Sequence, residues 1–222
     1  MKESKQVALQ KIGSCRRKFN LNLDSNYINY KQPENFPLNC DKKYNFKWVS
    51  PITESAQNVN SKIVFVLQDW ASAEMDVLKI HSPFVAKKGY DCKAKSNLVL
   101  EANIKMYFGI EYKDVFITNL FPFIKSGNAS SYIPQELLDK FFEPFCLSQI
   151  EIIKPKVVIC LGKRVYHTFR KNLTTLTRKG SNEYFKHNNI LYYNQLHPSA
   201  RLSQSKVESC WKNMIKKINY HL

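Results

Sequence analysis

Residues 61–70, SKIVFVLQDW, decide the fold class of this chain. A short run of Ile, Val, Phe and Leu ends abruptly at the polar residues Gln68 and Asp69. A strand of a parallel sheet is covered on both faces, so it has a continuous apolar run rather than an alternating pattern. The stretch therefore predicts a buried parallel strand that carries polar side chains at its carboxyl end.

The same pattern occurs three more times along the chain. The further apolar runs are DVFITNLFPF at 114–123, PKVVICLG at 155–162 and NNILYYNQLHP at 188–198. The run at 155–162 ends at Gly162, which permits a tight turn, and the last run stops before Pro198, which cannot extend a strand ladder. Together with the first run, they predict four parallel strands.

Helical spacing occupies the intervals between these runs. The predicted helices cover 96–108, 134–154 with a break near Pro144, 163–173 and 202–222. In the first of them, Leu98, Ala102 and Met106 fall on one face.

Alternating strands and helices predict an α/β fold, namely a single-domain, three-layer α/β/α arrangement with a central parallel four-stranded sheet. We assign this domain to residues 61–222. Residues 1–60 are expected to form an N-terminal segment of helix and loop that packs on the core.

The 222 residues carry a large excess of positive charge. Lys and Arg number 34 against 18 Asp and Glu, which gives a formal net charge of +16. Such an imbalance opposes the compact state unless the usual partner is negatively charged. Nucleic acid is the first candidate and an anionic membrane surface is the second. The membrane is disfavoured because no apolar run reaches 18 residues.

Several chemistries are disfavoured by missing motifs. No GxxxxGK or GxGxxG loop is present for nucleotide phosphates, and no GxSxG or HExxH for acyl transfer or zinc proteolysis. The N-terminus MKESKQVALQ lacks the apolar stretch of a secretory signal, which predicts a cytoplasmic protein. In that compartment we expect free thiols, no disulfide framework and no metal site from the scattered cysteines Cys15, Cys40, Cys92, Cys146, Cys160 and Cys210.

Three polar residues stand at three predicted strand ends. They are Asp69, Asn119 and His197. If the sheet is parallel, these ends lie at one edge, where α/β proteins bind ligands, and the side chains can share a pocket. Each also has a structural explanation: a helix cap for Asp69, a turn amide for Asn119 and a hydrogen-bonded loop residue for His197.

These motifs resemble those of the uracil-DNA glycosylase superfamily. The resemblance rests on QD at 68–69, the last residue of FITN at 119, PKVVICLG at 155–162 and HPSAR at 197–201. It covers roughly residues 62–218. It implies hydrolysis of the N-glycosidic bond of a flipped-out uracil in single- or double-stranded DNA, leaving an abasic site and requiring no cofactor.

The resemblance also implies roles for individual residues. Asp69 would stabilise the positive charge on the sugar and orient the attacking water. His197 would donate to the charge that develops on uracil O2. Asn119 would read O4 and N3–H of uracil and reject cytosine, whose edge is reversed. Gln68, beside the catalytic carboxylate, is placed with the substrate-binding residues, and Phe84 would stack on the base, although it also suits an ordinary core position.

Further residues are predicted to contact the DNA strand. Arg201 or Leu202 would fill the gap left by the flipped base, with Ser199 on a phosphate. Basic side chains at Lys125, Lys163 and Arg164 are expected to contact the backbone, so that binding weakens steeply with salt.

Two departures from the family pattern bear on specificity and cofactors. The classical type has GQDPY, whose tyrosine blocks the 5-methyl group of thymine, whereas this chain has LQDWA and places Trp70 and Ala71 at the last two positions. Exclusion of thymine is therefore undecided, and Trp70 is an alternative wall of the pocket. The iron-sulfur type is similar at PKVVICLG, but its clustered cysteine ligands are not reproduced here, so no cluster is expected.

Two other hypotheses remain open. One is a glycosylase-fold protein that binds DNA or a replication partner with weak or no catalysis, as the unusual LQDWA loop suggests. The other is a basic α/β protein outside this superfamily, such as an RNA- or nucleotide-processing enzyme. The sequence leaves a protein partner open in each case.

Overall fold

The computed structural model describes residues 5–17, 30–31, 56, 58–69, 90, 92, 94–128, 130–174 and 183–222. In chain order the regular elements are α1 (Lys5–Arg17), β1 (Tyr30–Lys31), β2 (Ile63–Leu67), α2 (Lys95–Phe108), β3 (Phe116–Asn119), β4 (Ile124–Lys125), α3 (Gln135–Phe141), α4 (Ser148–Ile153), β5 (Val157–Leu161), α5 (Lys163–Leu173), β6 (Tyr184–His187), β7 (Ile190–Gln195) and α6 (Gln204–Ile218).

The central sheet has the strand order β3-β2-β5-β7-β6. The four strands that the sequence predicts, β2, β3, β5 and β7, are parallel, which confirms the α/β fold. The predicted count of four strands is corrected by β6, which pairs antiparallel with β7 at the edge. Asn188 and Asn189 connect the two strands with φ of 47° and 63°, the left-handed conformation of a tight hairpin turn. The strand predicted from the sequence includes Asn188 and Asn189, so the prediction missed the hairpin.

Helices cover both faces of the sheet, as the continuous apolar strands require. On one face, Val64 and Val66 of β2 join a core with residues of α1, α3, α4 and α5. On the other face, Ile63, Phe65 and Leu67 join a core with residues of α2 and α6. The period-2 alternation of a strand therefore assigns each side chain of β2 to one of two cores.

The N-terminal helix α1 belongs to the first of these cores. Ala8, Leu9 and Ile12 are buried there, and the helix packs against α4. The division of the chain near residue 60 stays a prediction.

The helix predicted over 134–154 is divided near Pro144 as expected, whereas the apolar face named for α2 is not its buried face. The break near Pro144 is a π-helical segment, Phe142–Leu147, that separates α3 from α4, because proline lacks the N–H of a regular helical turn. In α2, the face with Leu98, Ala102 and Met106 is exposed. The buried positions of α2 are instead Asn97, Leu100, Asn103 and Ile104. No helix in the described ranges has the length and apolar character needed to span a membrane.

Candidate active site

The carboxyl ends of the four parallel strands meet at one edge of the sheet. Backbone hydrogen bonds continue past the strands there: Leu120 N–H donates to Leu67 O, and Phe121 N–H donates to Gln68 O, both at 2.8 Å. On the other side, Gly162 N–H donates to Gln195 O at 2.8 Å. The segments that carry Asp69, Asn119 and His197 therefore leave the sheet at this edge and are held there by backbone hydrogen bonds.

Both carboxylate oxygens of Asp69 are held by neighbouring side chains. Gln68 Nε2 donates to Oδ1 at 3.0 Å, and Lys125 Nζ lies 3.1 Å from Oδ2. The lysine side chain is 5% exposed and the aspartate side chain is 14% exposed. An ion pair this well removed from water interacts more strongly than a surface pair, because solvent screens it less.

The burial of Lys125 differs from the predicted DNA-backbone contact. The lysine lies on β4, which pairs antiparallel with β1, so that Tyr30 is opposite Lys125 and Lys31 is opposite Ile124. The backbone of the N-terminal segment therefore lies beside the strand that brings an ammonium group to Asp69. A phosphate contact needs an accessible cation, and the geometry gives Lys125 a buried carboxylate instead.

Arg164 also differs from its predicted surface role. Its Nη1 donates to Gln68 Oε1 at 3.3 Å, and Nη2 donates to the carbonyl oxygen of Ile133. The guanidinium carbon lies 4.6 Å from the ring centroid of Tyr132. Because Gln68 in turn donates to Asp69, Arg164 orients the carboxylate through the glutamine side chain.

His197 has a defined hydrogen-bonding state. The backbone N–H of Ser199 donates to Nδ1 at 3.2 Å, and Ser199 Oγ lies 2.7 Å from the same nitrogen. Burial lowers the pKa of His197 below 6.5; the Asp69 carboxylate acts in the opposite direction, and the Lys125 ammonium adds to the lowering. The neutral imidazole that accepts at Nδ1 carries its proton on Nε2, which is then a hydrogen-bond donor.

The segment that leads into His197 is fixed by a buried glutamine. Gln195 Oε1 accepts from Leu196 N–H at 2.7 Å, and its Nε2 lies within 3.5 Å of Cys210 O and 3.4 Å of Met214 Sδ. Gly162 lies against the same joint with φ of 109°, a conformation that side chains disfavour, and starts α5. The glycine turn predicted after β5 therefore lets the chain pass beside His197.

Asn119 is buried at the end of β3, 1% exposed. Neither its Nδ2 nor its Oδ1 has a hydrogen-bond partner among the residues that the structure describes. An unsatisfied buried amide costs about 1–3 kcal/mol and calls for an explanation. A ligand that presents a hydrogen-bond acceptor beside a donor would pair with both ends of this amide.

The remaining predicted residues fall into two groups. Lys163, Ser199, Arg201 and Leu202 are exposed. Ser199 contacts His197 rather than standing alone, whereas Arg201 and Leu202 lie on the loop before α6. Trp70, Ala71 and Phe84 lie outside the described residues.

The described residues contain no group of three or more His, Cys, Asp or Glu side chains that could hold a metal. Burial raises the pKa of the Cys160 thiol well above its ordinary value, and it does the same to Cys146. Both thiols pack in the apolar core on one face of the sheet, where a cysteine behaves as a small hydrophobic residue.

Comparison with known proteins identifies the family. A model described as the uracil DNA glycosylase superfamily matches residues 55–221. The chain belongs to this superfamily.

One curated relative of this superfamily member is the type-4 uracil-DNA glycosylase of Sulfurisphaera tokodaii. It is 27% identical over 139 residues, which cover 60% of this chain and 62% of the relative. The chain thus spans less than two thirds of the length of the curated relative that it matches.

For this superfamily member, sequence reasoning missed Lys125 as the partner of Asp69, Arg164 as the support of Gln68, and Tyr132 altogether. None of the three carried a local signal, since a lysine between Ile124 and the loop SGN is equally typical of a solvated surface. Contacts of this kind join residues that are far apart in the sequence, so no local pattern encodes them.

Proposed function

We propose that this protein is a uracil-DNA glycosylase that hydrolyses the N-glycosidic bond of a flipped-out uracil in DNA and leaves an abasic site. The single observation that carries the proposal is the buried amide of Asn119, which has no hydrogen-bond partner within the described part of the chain and lies at the same sheet edge as Asp69 and His197. A uracil edge presents an acceptor, O4, next to a donor, N3–H. One amide satisfies both, since its NH2 donates and its carbonyl accepts.

Asp69 serves the sugar side of the reaction. As the bond between C1′ and N1 lengthens, positive charge develops on the deoxyribose, and a nearby carboxylate stabilises it. Water then adds to C1′, and the same carboxylate orients that water and accepts its proton. The two side chains that hold Oδ1 and Oδ2 support this role, because a fixed carboxylate needs no reorganisation during the reaction.

His197 serves the base side. The departing uracil gathers negative charge on O2, and the Nε2–H of a neutral imidazole donates to it. The contacts of Ser199 with Nδ1 support this role because they fix the tautomer that has its proton on Nε2. The lowered pKa of His197 favours the same neutral form.

The rest of the DNA contacts follow from exposure and charge. Arg201 or Leu202 fills the gap left by the flipped base, and Lys163 is available to a phosphate. Ser199 donates to a phosphate only when its hydroxyl leaves His197 Nδ1. For the base itself, Phe84 remains the proposed stacking residue and Trp70 and Ala71 the proposed pocket residues, as the family resemblance implies.

One observation favours a second candidate, a DNA-binding protein of the same fold with weak or no catalysis. Lys125 places a positive charge 3.1 Å from Asp69 Oδ2. This charge offsets part of the negative charge that a sugar cation needs, and it therefore weakens the stabilisation that Asp69 gives to the reaction.

An excision assay separates the two candidates. A labelled single-stranded oligonucleotide with one uracil is incubated with the protein in EDTA, treated with alkali and compared with cytosine and thymine strands and with a U·G duplex. Under the proposal, the strand breaks only at uracil. Asp69→Asn should lower the excision rate by about 10²- to 10⁴-fold and leave DNA binding near the wild-type level.

The matched control is Asp139→Asn, which removes a carboxylate that pairs with Lys171 away from the sheet edge. It should leave excision unchanged. Binding without cleavage of any uracil strand would instead support the second candidate. Full excision by both Asp69→Asn and His197→Ala would contradict the site assignment.

A further inference from the structure

Tyr132 is an exposed aromatic residue attached to the site by a chain of contacts. Tyr132 is 70% exposed, although its ring is large and apolar. It lies in the connection between β4 and α3, on the carboxyl side of β3, where Asn119 ends the strand. The proposed catalytic chemistry leaves it without a role.

The ring is supported from one side by Arg164. The guanidinium carbon lies 4.6 Å from the ring centroid, within the range of a cation–π contact. Arg164 is itself held by the Ile133 carbonyl and by Gln68 Oε1 at 3.3 Å. The ring therefore rests on a guanidinium plane whose position is fixed at two points.

This support links the ring to the carboxylate. Gln68 accepts from Arg164 and donates to Asp69 Oδ1 at 3.0 Å. Only two side chains, Arg164 and Gln68, separate the tyrosine ring from Asp69. The ring thus belongs to the rim of the site and not to a remote surface.

An open ring face on a rigid base suits a nucleobase. Bases stack on aromatic side chains without regard to sequence, and a pre-positioned ring loses little conformational freedom when it binds. The net charge of +16 and the exposed Lys163, next to Arg164 in the chain, favour an anionic strand as the source of that base.

We propose that Tyr132 is a stacking platform for a DNA base that neighbours the flipped nucleotide. The inference rests on the proposed function for the identity of the strand. It adds a binding subsite that Asp69, Asn119 and His197 do not supply.

Base stacking can be read directly from fluorescence. Single strands with one uracil carry 2-aminopurine at one position at a time on its 5′ and 3′ sides, and the Asp69→Asn protein keeps the uracil in place. Stacking on Tyr132 should quench 2-aminopurine at one or two positions. Tyr132→Ala should abolish this quenching and weaken binding about 5- to 100-fold, while Tyr132→Phe should retain both.

Tyr220, 89% exposed at the C-terminus, supplies the matched control. Tyr220→Ala should leave quenching and affinity unchanged. Excision kinetics with Asp69 intact provide a second readout: Tyr132→Ala should raise KM and spare kcat, because the residue binds the strand and does not touch the reacting atoms.

Each other outcome has a defined meaning. Equal affinity and quenching for Tyr132→Ala and Tyr220→Ala would overturn the inference, as would a fall in kcat alone, which would make the ring only a support for Arg164. If the wild-type protein leaves uracil intact but Tyr132-dependent quenching persists, the proposed function fails and the stacking platform stands.

Discussion

Lys125 Nζ lies 3.1 Å from Asp69 Oδ2 in a pair that is nearly closed to solvent. The two residues are distant in sequence, and the lysine comes from a two-residue strand paired with the N-terminal segment. Family membership rests on residues 55–221, so β1 lies outside the matched region although its backbone flanks this pair. The surroundings of the Asp69 carboxylate therefore depend in part on β1, a strand outside the region that the family model matches.

Removing the lysine charge should destabilise the fold. Lys125→Met leaves the Asp69 carboxylate without its cation in a mostly buried position, and breaking one side of such a pair typically costs about 3 kcal/mol or more. Chemical denaturation would measure the free energy of unfolding. Lys113→Met is the control, since Lys113 pairs with Glu111 at 2.9 Å on the exposed surface and should show no measurable change. Equal stabilities of the two variants would contradict a buried ion pair.

Asn119 should lower the free energy of unfolding while it serves uracil binding. Its buried amide finds no partner among the residues that the structure describes, so Asn119→Leu should raise the free energy of unfolding by about 1–2 kcal/mol and abolish uracil excision. Denaturation and the oligonucleotide assay measure the two effects.

The neighbouring Thr118 supplies the opposite case. Its Oγ1 donates to Gln149 Oε1 at 2.6 Å, so Thr118→Val should lower stability by about 1 kcal/mol. A loss of stability in Asn119→Leu similar to that in Thr118→Val would mean that the Asn119 amide is satisfied in solution.

The state of His197 predicts a pH dependence of stability. The folded-state pKa lies below 6.5 because of burial, so the unfolded chain binds more protons at low pH. The resulting loss of folding stability is absent above about pH 6.5. It grows as the pH falls and is complete once the pH lies below the folded-state pKa of His197. His197→Gln should remove this contribution, so its stability relative to wild type should rise as the pH falls from 7 to 5.

Denaturation curves at several pH values between 5 and 8 test this sign. His187→Gln, at the far end of the β6–β7 hairpin, is the comparison variant. A wild-type minus His197→Gln difference that does not vary with pH would show that His197 has no shifted pKa.

Lys163 should contribute to the salt dependence of DNA binding. It is exposed at the start of α5, at the same sheet edge as the site. Lys163→Ala should reduce the slope of log affinity against log salt by about 0.7 for a single strand. Lys113→Ala, at the opposite end of β3, should leave the slope unchanged, and titrations at four or more salt concentrations would measure both.

Much of the fold followed from local patterns. The runs at 63–67, 116–119, 157–161 and 190–195 were recognisable as strands because burial on both faces leaves an unbroken apolar sequence. β6 was not recognisable, since its exposed and buried positions alternate over only four residues. In α2 the apolar face named from the sequence is exposed. Helical spacing identifies residues that share a face, but packing decides which face is covered.

The sequence by itself determined that Asp69, Asn119 and His197 stand at strand ends, because strand boundaries and turn residues are local properties of the chain. Tertiary structure decided what surrounds them. It moved Lys125 from an expected surface contact to the Asp69 carboxylate, turned Arg164 toward Gln68 and Tyr132, and gave His197 a neutral imidazole with an acceptor at Nδ1. These features depend on charge, burial and hydrogen bonding between segments that meet only when the sheet has formed, and no periodicity in the sequence records them.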